Sequence, residues 1–561
     1  MSLNNLDTHS PGSMPAHITL PAGTKVPQDV PSLIAQGSAG TDAFVFATPD
    51  AALDVLSSEL PRALLASVRA DAADPFTRDA GLAVLADLYM DLMRVGRAAI
   101  NLIHARAAGG EAAFDPGVSP FLFYLTDDRP TPPRAISDII PGRHGDFART
   151  RNWRDRLHVL RSFAQMSSRI GNRQVDAMAR GSLIDQYLAA EGVQPANLNP
   201  YTLAWPHPGP TPAFVRDLAD ALTAVFDRLV LEPLVGDAPE APRAREAARV
   251  FAVSWLSQAW HNHRFLASSP LRFVLGDVLV GAAPKMLGRS LAWLYRERGR
   301  QVWRFSHGGD RAFYDDDHWG LSEFPYCDRY MCYGSGEAEA LALRYREDRT
   351  IRPQETPPVF MPVGMRRQQS IYEDMHAAPP APADRKRIRV LYANSSFLGE
   401  RAAHVPGVSL TDIHFADLQV WLLKQMRARG FEVVFKPHPK DVLSAAALFE
   451  GLTDEIEQRP FDPRNHDIDV YLFEYAGSAF FDALASTRGV VLIDPGLRPF
   501  DRTNEPYLRK RCEIVPAPAD EMNRHRPDPD ALVDAIERAA QVRACPEDFA
   551  QRFLYSDGAP R

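Results

Sequence analysis

The sequence predicts an α/β protein of two doubly wound domains facing a cleft, with a large helical elaboration on the first. Three observations predict it. Short apolar runs alternate with helical patterns from about residue 272, a second such series begins at Ile388, and a polar, proline-rich stretch lies between them. A chain of 561 residues has the length for two or more domains of ordinary size.

Composition narrows the class. Hydrophobic residues at 45% and charged ones at 24% are the balance of a globular protein with real cores, which sets aside the disordered and fibrous classes. A net charge of -8 argues against a general nucleic-acid binder. The four cysteines, Cys327, Cys332, Cys512 and Cys545, are too few for a disulfide framework, and the first pair lacks the spacing of a redox or zinc site. No apolar run of about 18 residues occurs, and no basic stretch leads into an apolar one at the amino end. The expectation is a cytoplasmic protein with reduced thiols and no spanning segment.

The elements follow in order. Residues 1–38, rich in Pro, Gly, Ser and Asn, read as a flexible tail. Residues 39–364 form the first domain, 365–385 a linker and 386–550 the second domain. Strands are expected at 43–47 and 121–125, and long helices at 79–107, 151–193, 212–233 and 243–266. Then come a strand at 272–280, a helix at 285–298 and strands at 301–305, 329–333 and 359–363. The second series opens with a strand at 388–393. The helix at 411–429 is capped by Thr411 and Asp412, carries Phe415, Leu418, Leu422 and Met426 at helical spacing, and closes at Gly430. Strands at 431–435, 470–473 and 490–493 alternate with helices near 441–451, from 478 and from 529.

In a parallel sheet, ligand-binding residues gather in the loops leaving the carboxyl ends of the strands. After strand 301–305 comes Ser306-His307-Gly308-Gly309-Asp310. Two glycines let the chain turn sharply and let a ligand approach with the imidazole at the cleft mouth, or the segment is a plain turn with a surface histidine. After strand 431–435 comes Lys436-Pro437-His438-Pro439-Lys440. The prolines fix their own φ and restrict the residues before them, so Lys436 and His438 are held extended, suited to aiming at an anion or simply rigid. After strand 470–473 comes Glu474-Tyr475-Ala476-Gly477-Ser478, where Gly477 and Ser478 begin a helix that can receive phosphate, although serine is also an ordinary cap. Strand 388–393 runs into Asn394-Ser395-Ser396, another hydroxyl-rich loop on the same edge. Together these loops read as a nucleotide-phosphate site. The glycine patterns of dinucleotide-binding dehydrogenases and of P-loop NTPases are absent.

FKPHPK resembles the Lys-Pro-His-Pro motif of CDP-glycerol glycerophosphotransferases and the His-Pro motif of capsule Kdo transferases and bacterial CMP-sialyltransferases. The run DVYLFEYAGSAFFDALASTRGVVLID is similar to their following segment, and SHGGD with DRYMCYGSGE to their amino-terminal loop. The likeness spans about residues 271–515. It implies a GT-B-like fold of two Rossmann-like domains and a metal-independent glycosyltransferase of bacterial surface polysaccharide assembly, with no cofactor beyond its nucleotide-sugar donor. His438 and Lys436 would contact the donor phosphate, with Ser478, Gly477, Glu474, Ser395 and Ser396 around it. His307 would be the catalytic base, with Asp277 or Asp310 as alternatives or acceptor contacts. The implied partners are a CMP- or CDP-linked sugar and a glycan or glycolipid acceptor, met in the cytosol or against the inner membrane. Two rivals stay open: transfer of a polyol phosphate from a CDP-polyol, and a non-catalytic nucleotide- or glycan-binding subunit. Asp315-Asp316-Asp317 contains the Asp-x-Asp pattern of metal-dependent transferases, but an acidic loop of this kind is more often solvated, and no metal is expected. Glu337 and Glu339 line the cleft or start a helix, and Trp303 and Trp319 stack on a sugar or fill the core.

Overall fold

A computed structural model describes residues 20, 23–36, 52, 55–126, 175–198, 200, 209–268, 276–281, 285–378, 386–395, 397, 411–439, 446–520 and 524–556. Fourteen strands are described: β1 Lys25–Pro27, β2 Glu111–Ala113, β3 Val175–Met178, β4 Ala196–Leu198, β5 Asp277–Val280, β6 Val302–Phe305, β7 Arg329–Cys332, β8 Val359–Pro362, β9 Arg389–Ala393, β10 Glu432–Lys436, β11 Glu455–Ile456, β12 Val470–Phe473, β13 Gly489–Asp494 and β14 Glu513–Pro516. Six of them form a sheet in the order β4-β3-β5-β6-β7-β8 and six another in the order β11-β10-β9-β12-β13-β14. Every pairing is parallel, so each sheet needs helices on both faces, and the strands read as unbroken apolar runs.

Numbered within its own unit, the second sheet has the Rossmann order 3-2-1-4-5-6, and the first departs from it only by beginning 2-1-3. The strand order reverses between β9 and β12, where Leu391 lies beside both Val434 and Tyr471. The loops leaving β9 and β12 therefore diverge to opposite faces and leave a crevice. The expected α/β class with two Rossmann-like units is what the chain forms.

The helical elaboration is built around one long helix, Pro75–Ala107, which buries residues along almost its whole length. It packs against Leu60–Asp71, Ala241–Ser268 and Met286–Glu297. Asp74 caps it, accepting from the Thr77 N–H at 2.9 Å. No helix among the described residues is long and apolar enough to cross a membrane.

Several expectations need correction. Part of the segment read as a flexible tail is ordered: β1 pairs with β2, and the helix Val30–Gln36 puts Val30 and Leu33 into the core beneath the second sheet. Asp29 organises it, accepting from the Ser32 and Asp115 N–H groups at 2.9 and 2.7 Å. The run at 121–125 is not a strand. It lies in the helix Pro120–Thr126, with Phe121 and Tyr124 at 5.9 Å and Phe121 also touching Phe251, because a short apolar run suits a buried helix as well as a strand. The helix expected at 151–193 is described only from 175, where it begins as β3 before the helix Ser182–Glu191. The linker carries the helix Arg366–Ala377, which buries Ile371 and Gln368. The strand at 43–47 lies outside the described residues.

The chain's last described helix, Glu547–Phe553, returns to the first unit. Met365 N–H donates to Leu554 O at 3.0 Å, and Arg552 pairs with Glu339 of the helix Ser335–Glu347 at 2.8 Å. One hydrophobic cluster accordingly runs from Phe305 and Met331 of the first sheet to Tyr471 and Leu492 of the second.

Candidate functional site

The loops leaving the carboxyl ends of the two sheets touch. After β13, Pro499 O accepts from Asp315 N–H at 2.9 Å, and Asp501 N–H donates to Phe313 O at 2.7 Å. Asn504, fully buried, donates to both Ala312 O and Gly336 O, at 2.7 and 2.8 Å. After β6, Ser306 Oγ donates to Gly308 O, and Gly309 packs against the ring of Phe481 in the helix Ser478–Leu484. A Cβ at Gly309 would come 2.7 Å from Phe481 Cε2 and closer to two other ring carbons. A Cβ at Gly308 would come 2.9 Å from Asp310 Oδ1. The glycine pair expected to admit a ligand thus also lets the two units close on each other.

On the second sheet, His438 follows β10 and is half-buried between Pro437 and Pro439, while Ser478 follows β12 and is exposed. Their strands are separated by β9 alone, about 10 Å in all. Gly477 stands at the N-cap of the Ser478–Leu484 helix. Lys436, expected as a direct phosphate contact, is turned inward: it is 9% exposed and its Nζ donates to Glu457 O at 3.4 Å. Burial pulls its ammonium below the usual lysine range, opposed by Glu457.

Glu474 and Ser395 meet in the crevice between β12 and β9. Glu474 Oε1 accepts from Ser395 N–H at 2.7 Å and from Gln419 Nε2 at 2.8 Å. Burial pushes the Glu474 carboxyl up to about 7, against these hydrogen bonds. Ser396 lies outside the described residues.

On the first sheet, His307 is exposed at the carboxyl end of β6. Asp310 is buried in ion pairs, 2.7 Å from Arg311 Nη1 and 3.5 Å from Arg498 Nη2. Arg311 in turn pairs with Glu323, which also accepts from the Tyr330 hydroxyl, and its guanidinium lies 3.9 Å over Trp319. Asp277 needs correction. It is the first residue of β5, at the amino edge of the sheet, and accepts from Gln301 N–H at 3.0 Å, so a strand's length separates it from the cleft. Trp303 is half-buried under Arg329, 4.7 Å away, and Trp319 is core.

The acidic loop is taken up by arginines. Asp315 and Asp317 each lie 2.6 Å from Arg344, Asp317 also pairs with Arg62, and Asp316 lies 3.1 Å from Arg498. Burial raises the Asp316 carboxyl, yet Arg498 and His318 outweigh it and hold the group below the usual range. Glu337 begins the helix Ser335–Glu347, accepts from Tyr333 N–H at 2.7 Å and is raised by burial to about 7.

Residue-by-residue reading missed Arg498 and Asn504. Arg498 and Asn504 lie in the long loop after β13, whose position at a carboxyl edge was readable. Their targets were not, because Asp310, Asp316 and Ala312 are nearly two hundred residues away in sequence.

No protein-family model matches this chain, and no curated protein matches it. Among solved structures, the chain is similar to Arabidopsis thaliana UGT89C1 complexed with UDP-L-rhamnose, at 11% identity and a TM-score of 0.30, covering 68% of this chain and 86% of that one. The fold assignment rests on the strand order and register above.

Proposed function

We propose that this chain is a metal-independent glycosyltransferase, moving a sugar from a CMP- or CDP-linked donor to a hydroxyl of a bacterial surface glycan or glycolipid. The observation that carries the reading is the meeting of two carboxyl edges. The rigid Pro437-His438-Pro439 turn and Ser478 stand on one, and the loop bearing His307 is seated on the helix that Ser478 begins. A separation of about 10 Å between the ends of β10 and β12 suits a nucleotide whose phosphate lies between them.

In this reading His307 accepts the acceptor's hydroxyl proton as the oxygen attacks the donor's anomeric carbon. The bond from that carbon to the phosphate oxygen breaks, and the charge left on the nucleotide is met by His438 and the Ser478 hydroxyl. Lys436 contributes from the interior, through its charge and by fixing the segment around Glu457. Asp310 is a poor rival to His307 as base because two arginines already occupy it. The pairing of Asp315, Asp316 and Asp317 with arginines supports a mechanism that does not draw on that loop for metal.

The test is thermal unfolding of the wild type and of His438→Ala with CMP, CDP, UDP, GDP and ADP. A nucleotide at 100 times its dissociation constant adds about 2.7 kcal/mol to the folded state. Stabilisation by a cytidine nucleotide, lost in the variant, is expected. His438→Ala should also lower turnover more than about 100-fold with the fold intact. Stabilisation by no nucleotide would overturn the proposal.

A further inference from the structure

Deep between the two units, four side chains from three segments converge. Tyr89 comes from the long helix Pro75–Ala107, Asp316 and His318 from the acidic loop, and Arg498 from the loop after β13. The Tyr89 and His318 rings lie 6.0 Å apart, His318 N–H donates to Asp316 Oδ1 at 2.8 Å, and Arg498 Nη2 lies 3.1 Å from Asp316 Oδ2. Tyr89 Oη, His318 Nδ1, Asp316 Oδ2 and the Nε and Nη1 of Arg498 are all buried without a hydrogen-bond partner. Asp316 Oδ2 faces Arg498 Nη2 as an ion pair, with no hydrogen bond between them.

Buried polar atoms are almost always paired, so five orphans on side chains linked in series through Asp316 and His318 call for an occupant. Their chemistry selects it. Three N–H or N sites, one hydroxyl and one carboxylate oxygen ask for groups that both donate and accept. Phosphate is disfavoured because its negative charge would meet two carboxylates, Asp316 and Asp310, on the same arginine. An apolar ligand would leave every orphan unpaired. Vicinal hydroxyls fit: one donates to Asp316 Oδ2 while its neighbour accepts from Arg498, with Tyr89 and His318 taking the rest.

We propose that Tyr89, Asp316, His318 and Arg498 form a subsite for a hydroxyl-rich sugar ring, to which the helical elaboration contributes Tyr89. The proposal rests on the glycosyltransferase reading and assigns a binding role to the part of the chain that the sequence left without one. Tyr89, Asp316, His318 and Arg498 all belong to segments outside the nucleotide edge of β9, β10 and β12. The ring belongs either to the donor or to the acceptor.

The test is saturation-transfer NMR on the full chain with free glucose, galactose, mannose, rhamnose, N-acetylglucosamine and ribitol. It is run with and without CMP or CDP, on the wild type, Tyr89→Phe and Asp316→Asn. At least one sugar should receive saturation from the wild type and at least five-fold less from each variant, while the variants keep the wild-type thermal response to nucleotide. Binding that needs the nucleotide marks the donor's sugar, and binding regardless of it marks the acceptor's. Tyr89→Phe removes an oxygen that has no bond to lose, so it folds as the wild type does and decides the matter alone if Asp316→Asn does not. Absence of sugar binding, or binding unchanged in Tyr89→Phe, overturns the proposal and leaves the orphans to water. A nucleotide response without sugar binding overturns only this subsite, whereas loss of both overturns the transferase reading as well.

Discussion

Gly309→Ala tests how the two units are joined. The added methyl would lie 2.7 Å from Phe481 Cε2 and closer to Cδ2 and Cγ, inside the distance at which carbon atoms repel. The ring cannot swing away, since it is 1% exposed and held by Tyr333 at 5.2 Å and Phe313 at 6.2 Å. The backbone loop must move instead, at an overpacking cost of about 1–3 kcal/mol. Phe481→Ala alone removes the ring and leaves a cavity, at about 3–5 kcal/mol. In the double variant the new methyl enters the space the ring has left, so its cost should fall short of the sum by at least about 1 kcal/mol. Urea unfolding of the four proteins, followed by circular dichroism, measures the coupling. Additive costs within about 0.5 kcal/mol would refute the contact and with it the seating of the His-Gly-Gly loop on the Ser478 helix.

Three further outcomes are expected. The Glu474 carboxyl, raised by burial from 4.5 to about 7, contributes stability that is whole below about pH 4.5 and is lost as pH rises through 7, roughly 3 kcal/mol across the window. Glu474→Gln lacks that loss, so its melting temperature should gain on the wild type between pH 5 and 8; a difference flat with pH would contradict the buried carboxyl. Asn504→Ala removes the amide donor shared by two buried carbonyls, Ala312 O and Gly336 O, and should cost about 1–3 kcal/mol in denaturant unfolding, while a cost under about 0.5 kcal/mol would mean that this bridge is not formed. His438→Ala should lose turnover but keep its unfolding free energy within about 1 kcal/mol of the wild type, the imidazole being only half-buried.

Much of the second unit was legible because its elements are local and strongly patterned. Val433, Val434 and Phe435 between a helix ending at Gly430 and a proline turn can hardly be anything but a buried strand, and β10 spans Glu432–Lys436. The helical half was less legible. The Phe121–Leu125 run carries no periodicity that separates helix from strand, and only packing on Phe251 decided it. The tail misled because its composition suits disorder, whereas Val26, Val30 and Leu33 are buried against residues far along the chain.

For the site, the sequence determined which residues stand at strand ends: β6 runs into His307, β10 into His438 and β12 into Glu474, because strand and loop are written side by side. It also determined that Pro437 and Pro439 stiffen the turn between them. Tertiary structure alone decided where side chains point. Lys436 turns inward to Glu457, Asp277 falls on the far edge, and Arg498 reaches Asp310 and Asp316 across the interface. The physical reason is range: backbone pattern is fixed by neighbours in sequence, whereas the partner of a buried charge is whatever opposite group the fold brings to it, and a charge out of water must find one.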